Sequence, residues 1–313
     1  MIKAVIFDLD GTLADTIPDL QTAMNCMLIR LGYKTRTKAE ILGALNNGSR
    51  EFVRRSLPKD VQGVPFILES AIETYAQEYE KCYCERTIPF EGIEALLKAL
   101  RAKDIKLAVL SNKQDEFVKN IISELFDGKM FSSVQGQSTL PVKPDPTSTI
   151  AIIKKLGVKP HQCLFVGDSD IDMKTARNAK IKSVGVSWGY RSAQVLMDAD
   201  ADYIIHNPKS LIDIIEAIKQ EEIEEKRRKK LEKKGENKSK KGKKSEKSQE
   251  APKIKVGDEY LKVNSNTGEY TKVFGTTGEF PTVPARKTKS QDIAGVEDGT
   301  QISFSESDVM TIE

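Results

Sequence analysis

The sequence predicts an α/β fold, a doubly wound parallel sheet with an all-helical domain inserted after the first strand and an extension at its C-terminal end. Three observations predict it. Through residues 1–220, short β-branched apolar runs alternate with amphipathic stretches, the pattern of successive βαβ units. Residues 15–86 interrupt that alternation without a convincing strand. After residue 220 the apolar periodicity stops.

Strands are expected at 4–8, 106–111, 131–135, 163–167, 182–186 and 203–205. These runs are uniformly apolar, as strands covered on both faces must be. Helices are expected between them at 93–101, 115–125, 148–156 and 172–179. Within the insert, 20–31, 39–45, 50–57 and 66–82 carry apolar residues at helical spacing, and Pro18, Pro58 and Pro65 mark segment starts or breaks. The domain reading is therefore a core formed by 1–14 and 87–220, with a helical cap at 15–86. A basic low-complexity linker follows at 221–250, then a possible small β element at 251–284 and a disordered tail at 285–313.

The bulk numbers suit a soluble globular protein of 313 residues, 39% hydrophobic and 30% charged. A net charge of +3 is too small to imply a nucleic-acid partner by itself. The four cysteines form no CxxC pair and no zinc-like spacing with the two histidines, which fits buried, reduced thiols. The apolar start is broken at once by Asp8, unlike a signal peptide, and no stretch is long enough to span a membrane. A reducing cytoplasm is the expected location.

Candidate chemistry gathers at strand ends. The first strand runs into Asp8-Leu9-Asp10-Gly11-Thr12, two carboxylates at i and i+2 before a turn-forming glycine. The second ends Ser111-Asn112-Lys113, a hydroxyl and backbone amides able to hold phosphate oxygens. Lys143 lies on a proline-bounded loop, Lys143-Pro144-Asp145-Pro146. The fourth strand runs into Gly167-Asp168-Ser169-Asp170-Ile171-Asp172, where three acids within five residues repel one another unless a cation compensates. Hard oxygen ligands suit Mg²⁺. Each signal has a bland reading as a turn or helix cap. In an open α/β sheet, however, the carboxyl ends of the strands meet at one crevice.

With these residues placed, the sequence resembles the haloacid dehalogenase superfamily, in the subgroup with a helical cap inserted after the first motif. Asp8, Asp10, Gly11 and Thr12 match the first motif, Ser111 the second, Lys143 the third, and Asp168 with Asp172 the fourth. The segments FDLDGTLADTIPDL, NNGSREFVRRSL and VGDSDIDMKTARNAKIKSVGVSWGY are similar to phosphoglycolate phosphatases. The likeness runs over about residues 2–218.

The resemblance implies a Rossmann-like core and a Mg²⁺-dependent phosphatase acting on a small phosphorylated metabolite. It implies Asp8 as nucleophile, forming an aspartyl-phosphate, and Asp10 as general acid and base. Mg²⁺ would be held by Asp8, Asp10 through its backbone carbonyl, and Asp168, with Asp172 bound directly or through water. Ser111, Lys143, Thr12, Gly11 and Asn112 would hold the phosphate. In the cap, Asn47 and Arg50 are candidates for substrate selection, Arg50 either meeting a substrate carboxylate or opening a helix in water. A pyrophosphatase or nucleotidase of the same superfamily is an alternative, and so is a phosphosugar mutase. Mutases of this cap type usually carry a histidine twelve positions after the nucleophile, where this chain has Leu20. A dehalogenase would lack Asp10.

The C-terminal third offers a function from another class. Residues 226–247 are lysine-rich without aromatics, either a solvated linker or a salt-sensitive contact for nucleic acid or another anionic surface. Beyond them, 259–263, 270–274 and 280–283 alternate like short strands around turn sequences.

Overall fold

The structure, a computed structural model, describes residues 1–45, 48–239, 259–263 and 270–274. The chain divides into two units, Met1–Phe280 and Pro281–Glu313, the second of which lies outside the described residues. The strand expected at 280–283 and the tail at 285–313 lie outside them as well.

In chain order the strands are β1 (Ala4–Phe7), β2 (Ala14–Asp15), β3 (Ile88–Pro89), β4 (Lys106–Gln114), β5 (Phe131–Gln137), β6 (Cys163–Gly167), β7 (Lys182–Val186), β8 (Tyr203–Ile205), β9 (Glu259–Val263) and β10 (Tyr270–Phe274). Among the described residues the helices are α1 (Ile17–Arg30), α2 (Lys38–Ala44), α3 (Ser49–Ser56), α4 (Pro65–Cys82), α5 (Ile93–Ala102), α6 (Asp115–Leu125), α7 (Thr147–Leu156), α8 (Asp170–Asn178), α9 (Ala193–Asp198) and α10 (Ser210–Ser239). The main sheet has the order β10-β9-β8-β7-β6-β1-β4-β5. From β8 to β5 every pairing is parallel.

The four side chains of β1, Ala-Val-Ile-Phe, are all buried, because helices cover both faces. Val5, Phe7, Leu107 and Val109 pack with α5, α6 and α10, while Ala4, Ile6, Ala108 and Leu110 pack with α7 and α8. This period of two also sets where the chemistry falls. The chain leaves β1 to one side through β4 and β5, then returns to the other side through β6. The strand order therefore reverses at β1, which is where open α/β sheets bind ligands.

The inserted helices α1–α4 bury a second apolar core, with Met24, Met27, Phe52, Tyr75 and Tyr79 among its members. Both crossings to the sheet are tied. β2 and β3 pair as a two-residue antiparallel ribbon, a feature that sequence periodicity missed because two residues carry none. Behind it, the fully buried Asp19 accepts from the backbone N–H of Arg86 (3.1 and 3.0 Å) and of Thr87 (2.8 Å), and from the Thr87 hydroxyl (2.7 Å). Replacing Asp19 by Ala leaves these buried donors unpaired, so urea unfolding should report a loss of about 2–4 kcal/mol. A loss under about 0.5 kcal/mol would show that water substitutes for the carboxylate.

Two features differ from the sequence reading. Helix α10 runs on through residue 221, where a linker was expected, and ends at Ser239. Lys, Arg and Glu are good helix formers, and Lys229–Glu225 (2.6 Å) and Arg228–Glu232 (3.7 Å) are one turn apart. Its first turns are anchored by the buried Leu211, Ile214, Ile215 and Ile218. The two described strands of the C-terminal β element are not a separate unit. β9 pairs antiparallel with β8, and β10 with β9, extending the main sheet. A lone hairpin is marginal in water, whereas a three-residue edge strand offers it unpaired backbone groups.

Candidate active site

The turn after β1 sets the first part of the site. Gly11 has φ +82°, and a Cβ there would lie 2.2 Å from Oδ2 of Asp168, so only glycine allows the two loops to touch. Asp8 follows β1 directly and is buried; Asp10, two residues on, is partly exposed. Ser111 and Lys113 project from the same side of β4, two residues apart. Asp168 follows β6, and Asp172 lies in the first turn of α8.

Lys143 ties the acids together. Its ammonium, in a residue only 4% exposed, lies 2.8 Å from Oδ1 of Asp8 and 2.7 Å from Oδ1 of Asp172. The Asn112 side chain clamps the Lys143 backbone from both directions, accepting from its N–H at 2.7 Å and donating to its carbonyl at 3.0 Å. Asn112 thus positions Lys143, a role the sequence reading did not give it. Asp172 is 0% exposed, and its second oxygen accepts from the Ser169 hydroxyl (2.6 Å) and N–H (3.1 Å). Ser169 in turn caps α8, which is why that helix starts two residues earlier than its apolar spacing predicted.

Three buried carboxylates share one ammonium here. Asp8, Asp168 and Asp172 place one oxygen each within 4.8 Å of one another. Burial pushes the Asp8 carboxyl from 3.8 up to about 7; Lys143 opposes that, and Asp172 and Asp10 add to it. Burial, then Asp172 and Asp8, raise the Asp168 carboxyl well above its ordinary range. For Lys143 burial acts downward, but Asp172 and Asp8 outweigh it and hold the ammonium charged. A surplus of buried negative charge on hard oxygen donors fits a divalent cation such as Mg²⁺. Of the three, Asp8 and Asp168 have the freer oxygens, because both oxygens of Asp172 are already engaged by Lys143 and Ser169.

Asp10 is held separately. Its Oδ1 accepts from the Thr16 hydroxyl at 2.5 Å and lies 2.8 Å from the Lys113 ammonium, and its Oδ2 accepts from the Ser111 hydroxyl at 3.4 Å. Lys113 also sits 4.8 Å above the ring of Tyr79 from the cap. Its period-two spacing from Ser111 was the signal that could have found it.

The pocket over these groups is lined by Asp8, Asp10, Ser111, Asn112, Lys113, Lys143 and Asp168 from the core, and by Leu20, Gly48, Ser49, Phe52, Tyr75 and Tyr79 from the cap. The Tyr79 hydroxyl is buried without a hydrogen-bond partner among the described residues. Thr12 is fully buried beneath the site, its hydroxyl also unpartnered among them, and does not line the pocket. Asn47 lies outside the described residues. Arg50 is not in the pocket: it is 57% exposed and makes a bidentate pair with Glu69 at 2.6 and 3.0 Å. As the second residue of α3 it faces outward, and Glu69 of α4 satisfies it there. Arg50→Ala should therefore change kcat/KM by less than about twofold, since exposed pairs contribute little; a tenfold rise in KM would put Arg50 back in the site.

The sequence reading also missed the loop after β7. Gly189 packs so closely that a Cβ would lie 2.3 Å from Asp168 Cβ and from the Gly11 carbonyl. The Tyr190 N–H donates to Asp168 at 2.6 Å, and its hydroxyl accepts from the Thr16 N–H at 2.8 Å and bonds Asp15 at 3.0 Å. Trp188 donates from its indole to the Thr12 carbonyl at 3.1 Å. One loop thus braces the acids, the turn after β1 and the entry to the cap.

Residues 5–186 match the family model described as haloacid dehalogenase-like hydrolase. A phosphoglycolate phosphatase of Pseudomonas fluorescens is 35% identical over 214 residues, 67% of this chain and 78% of that protein. Another, from Nitrosospira multiformis, is 37% identical over 209 residues, 65% of this chain and 91% of that protein. A solved structure from Lactobacillus delbrueckii subsp. bulgaricus overlays with a TM-score of 0.64 at 33% identity, covering 68% of this chain and 98% of that one.

Proposed function

The chain belongs to the haloacid dehalogenase-like hydrolase family, and from that premise we propose that it hydrolyses phosphate monoesters of small metabolites, with 2-phosphoglycolate as the leading candidate substrate. The observation that carries this reading is the Lys143 ammonium held between Asp8 and Asp172, at the sheet's switch point and beside the separately held Asp10.

In this reading a carboxylate oxygen of Asp8 attacks phosphorus, and the ester oxygen departs with a proton from Asp10. Water then attacks the aspartyl-phosphate, giving its proton to the Asp10 carboxylate, and phosphate leaves with Asp8 restored. Lys143 and the Ser111 hydroxyl bear on the phosphoryl oxygens as their charge grows. Asp8, Asp168 and the Asp10 backbone carbonyl would hold Mg²⁺, with Asp172 behind them; the cation would offset the repulsion between the nucleophile and a phosphate dianion. Thr16 and Lys113, by holding Asp10, keep the proton-transfer group near the leaving oxygen. Residues 15–86 act as a cap that closes over the substrate and excludes water.

Leu20 lines the pocket and supplies no proton-transfer group, which favours hydrolysis over sugar-phosphate transfer. The four cysteines are unpaired, which suits a reducing, cytoplasmic setting. Among the described residues no helix is long and apolar enough to cross a membrane. The test is phosphate release from a panel of phosphorylated metabolites with Mg²⁺. Phosphate release from none of the monoesters would end the reading.

A further inference from the structure

A phosphate ester of a hydroxy acid carries a carboxylate besides its phosphate dianion, and the pocket must meet it. Three cations line the pocket among the described residues: Lys113, Lys143 and Arg191. Two are already neutralised, Lys113 by Asp10 at 2.8 Å and Lys143 by Asp8 and Asp172. Arg191 has no carboxylate within ion-pair distance among the described residues; its contact there is a hydrogen bond from a terminal nitrogen to the Leu42 carbonyl of the cap at 3.0 Å.

Its mounting is firm. Arg191 follows the Gly189-Tyr190 segment, which is wedged against Asp168 and Gly11 and bonded to Asp15 and Thr16. The neighbouring cap wall of Leu20, Leu45, Phe52 and Tyr75 carries no charge. Arg50, the cation that the sequence pointed to, is turned outward onto Glu69.

Resting on the phosphatase reading above, we propose that Arg191 is the specificity-determining residue of this pocket, binding a carboxylate on the leaving group of the phosphate ester. A guanidinium has five N–H donors. With one on the Leu42 carbonyl, an edge remains for a bidentate carboxylate. Because Arg191 stands on the core and grips the cap, seating the carboxylate also favours the cap position in which Leu42 is held. An uncharged leaving group leaves the remaining guanidinium edge without a carboxylate, so neutral esters are used less well.

The test compares kcat/KM, with Mg²⁺, for 2-phosphoglycolate and for 2-hydroxyethyl phosphate, which has a hydroxymethyl group in place of the carboxylate. The full chain is assayed as wild type, Arg191→Met and Arg191→Lys. Wild type should prefer 2-phosphoglycolate, and Arg191→Met should lower that preference by about 10–100-fold, mostly through KM. Arg191→Lys should fall between them, since it keeps the charge but not the fork. Turnover of the neutral ester by Arg191→Met reports that the variant is folded. An unchanged preference in Arg191→Met, with both substrates slowed alike, would overturn the proposal and reduce Arg191 to a strut for the cap. Equal use of the two esters by wild type would overturn it too, while leaving the phosphatase reading intact. Turnover of neither ester by wild type, while a carboxylate-free monoester of the panel is hydrolysed, would likewise overturn the proposal; release of phosphate from no monoester would instead sink the phosphatase reading.

Discussion

Asp8→Asn should abolish phosphate release while leaving the protein folded and, without divalent cations, more stable than wild type. The amide is nearly isosteric but cannot form an acyl phosphate, so turnover should fall by on the order of 10⁴-fold or more. Stability follows from the sign of the carboxyl shift. Burial raises Asp8 from 3.8 to about 7, so the ionised side chain disfavours the folded state. That penalty is absent below pH 4, where both states are protonated. It grows through the interval and is complete above about pH 7, where it amounts to a few kcal/mol. Urea unfolding in EDTA should therefore show Asp8→Asn gaining on wild type as pH rises from 4 to 8. Turnover within tenfold of wild type would refute the nucleophile assignment; equal stability at pH 8 would show that the acids are not crowded as described.

Lys143→Met should have the second largest effect, and on both activity and stability. Methionine keeps much of the aliphatic volume but leaves Asp8 and Asp172 facing each other without the ammonium that lies within 2.8 Å of both. Removing one partner of a buried charge cluster typically costs about 3–5 kcal/mol. Loss of a cation on the phosphoryl oxygens should lower kcat/KM by about 10³-fold. Adding Mg²⁺ should recover part of the stability, because it supplies positive charge among the same acids, and little of the rate. Unfolding midpoints in EDTA and in Mg²⁺, together with steady-state kinetics, check both. A variant as stable as wild type in EDTA would mean that Lys143 does not offset the carboxylates.

These effects trace to residues with unequal visibility in the sequence. Asp8, Asp10, Ser111, Asp168 and Asp172 were readable as candidates because each ends or follows an apolar run, and a parallel sheet brings such ends to one crevice; Lys143 was readable only as the cation of a proline-bounded loop. Lys113 was in view but unremarked, as one cation after a strand has no direction until the strand's pleat is known. Arg50 was left open between a substrate carboxylate and water, and Arg191 went unremarked. Each stands two residues after a glycine, and nothing local to either says that Glu69 of α4 will take the first and that the loop after β7 will set the second against the pocket. Thr12 was expected at the phosphate and lies fully buried below it, because the turn at Gly11 directs the chain inward.

By itself, the sequence determined the α/β alternation, the helical insert and the acid-bearing strand ends, since period and burial are local properties that each segment carries. The tertiary structure alone decided which charges neutralise one another. Ion pairing depends on distances between segments more than a hundred residues apart in the chain, such as Lys113 against Asp10 and Lys143 against Asp8. The same holds for the guanidinium of Arg191, whose lack of a carboxylate partner among the described residues is a property of its neighbours and not of its own segment.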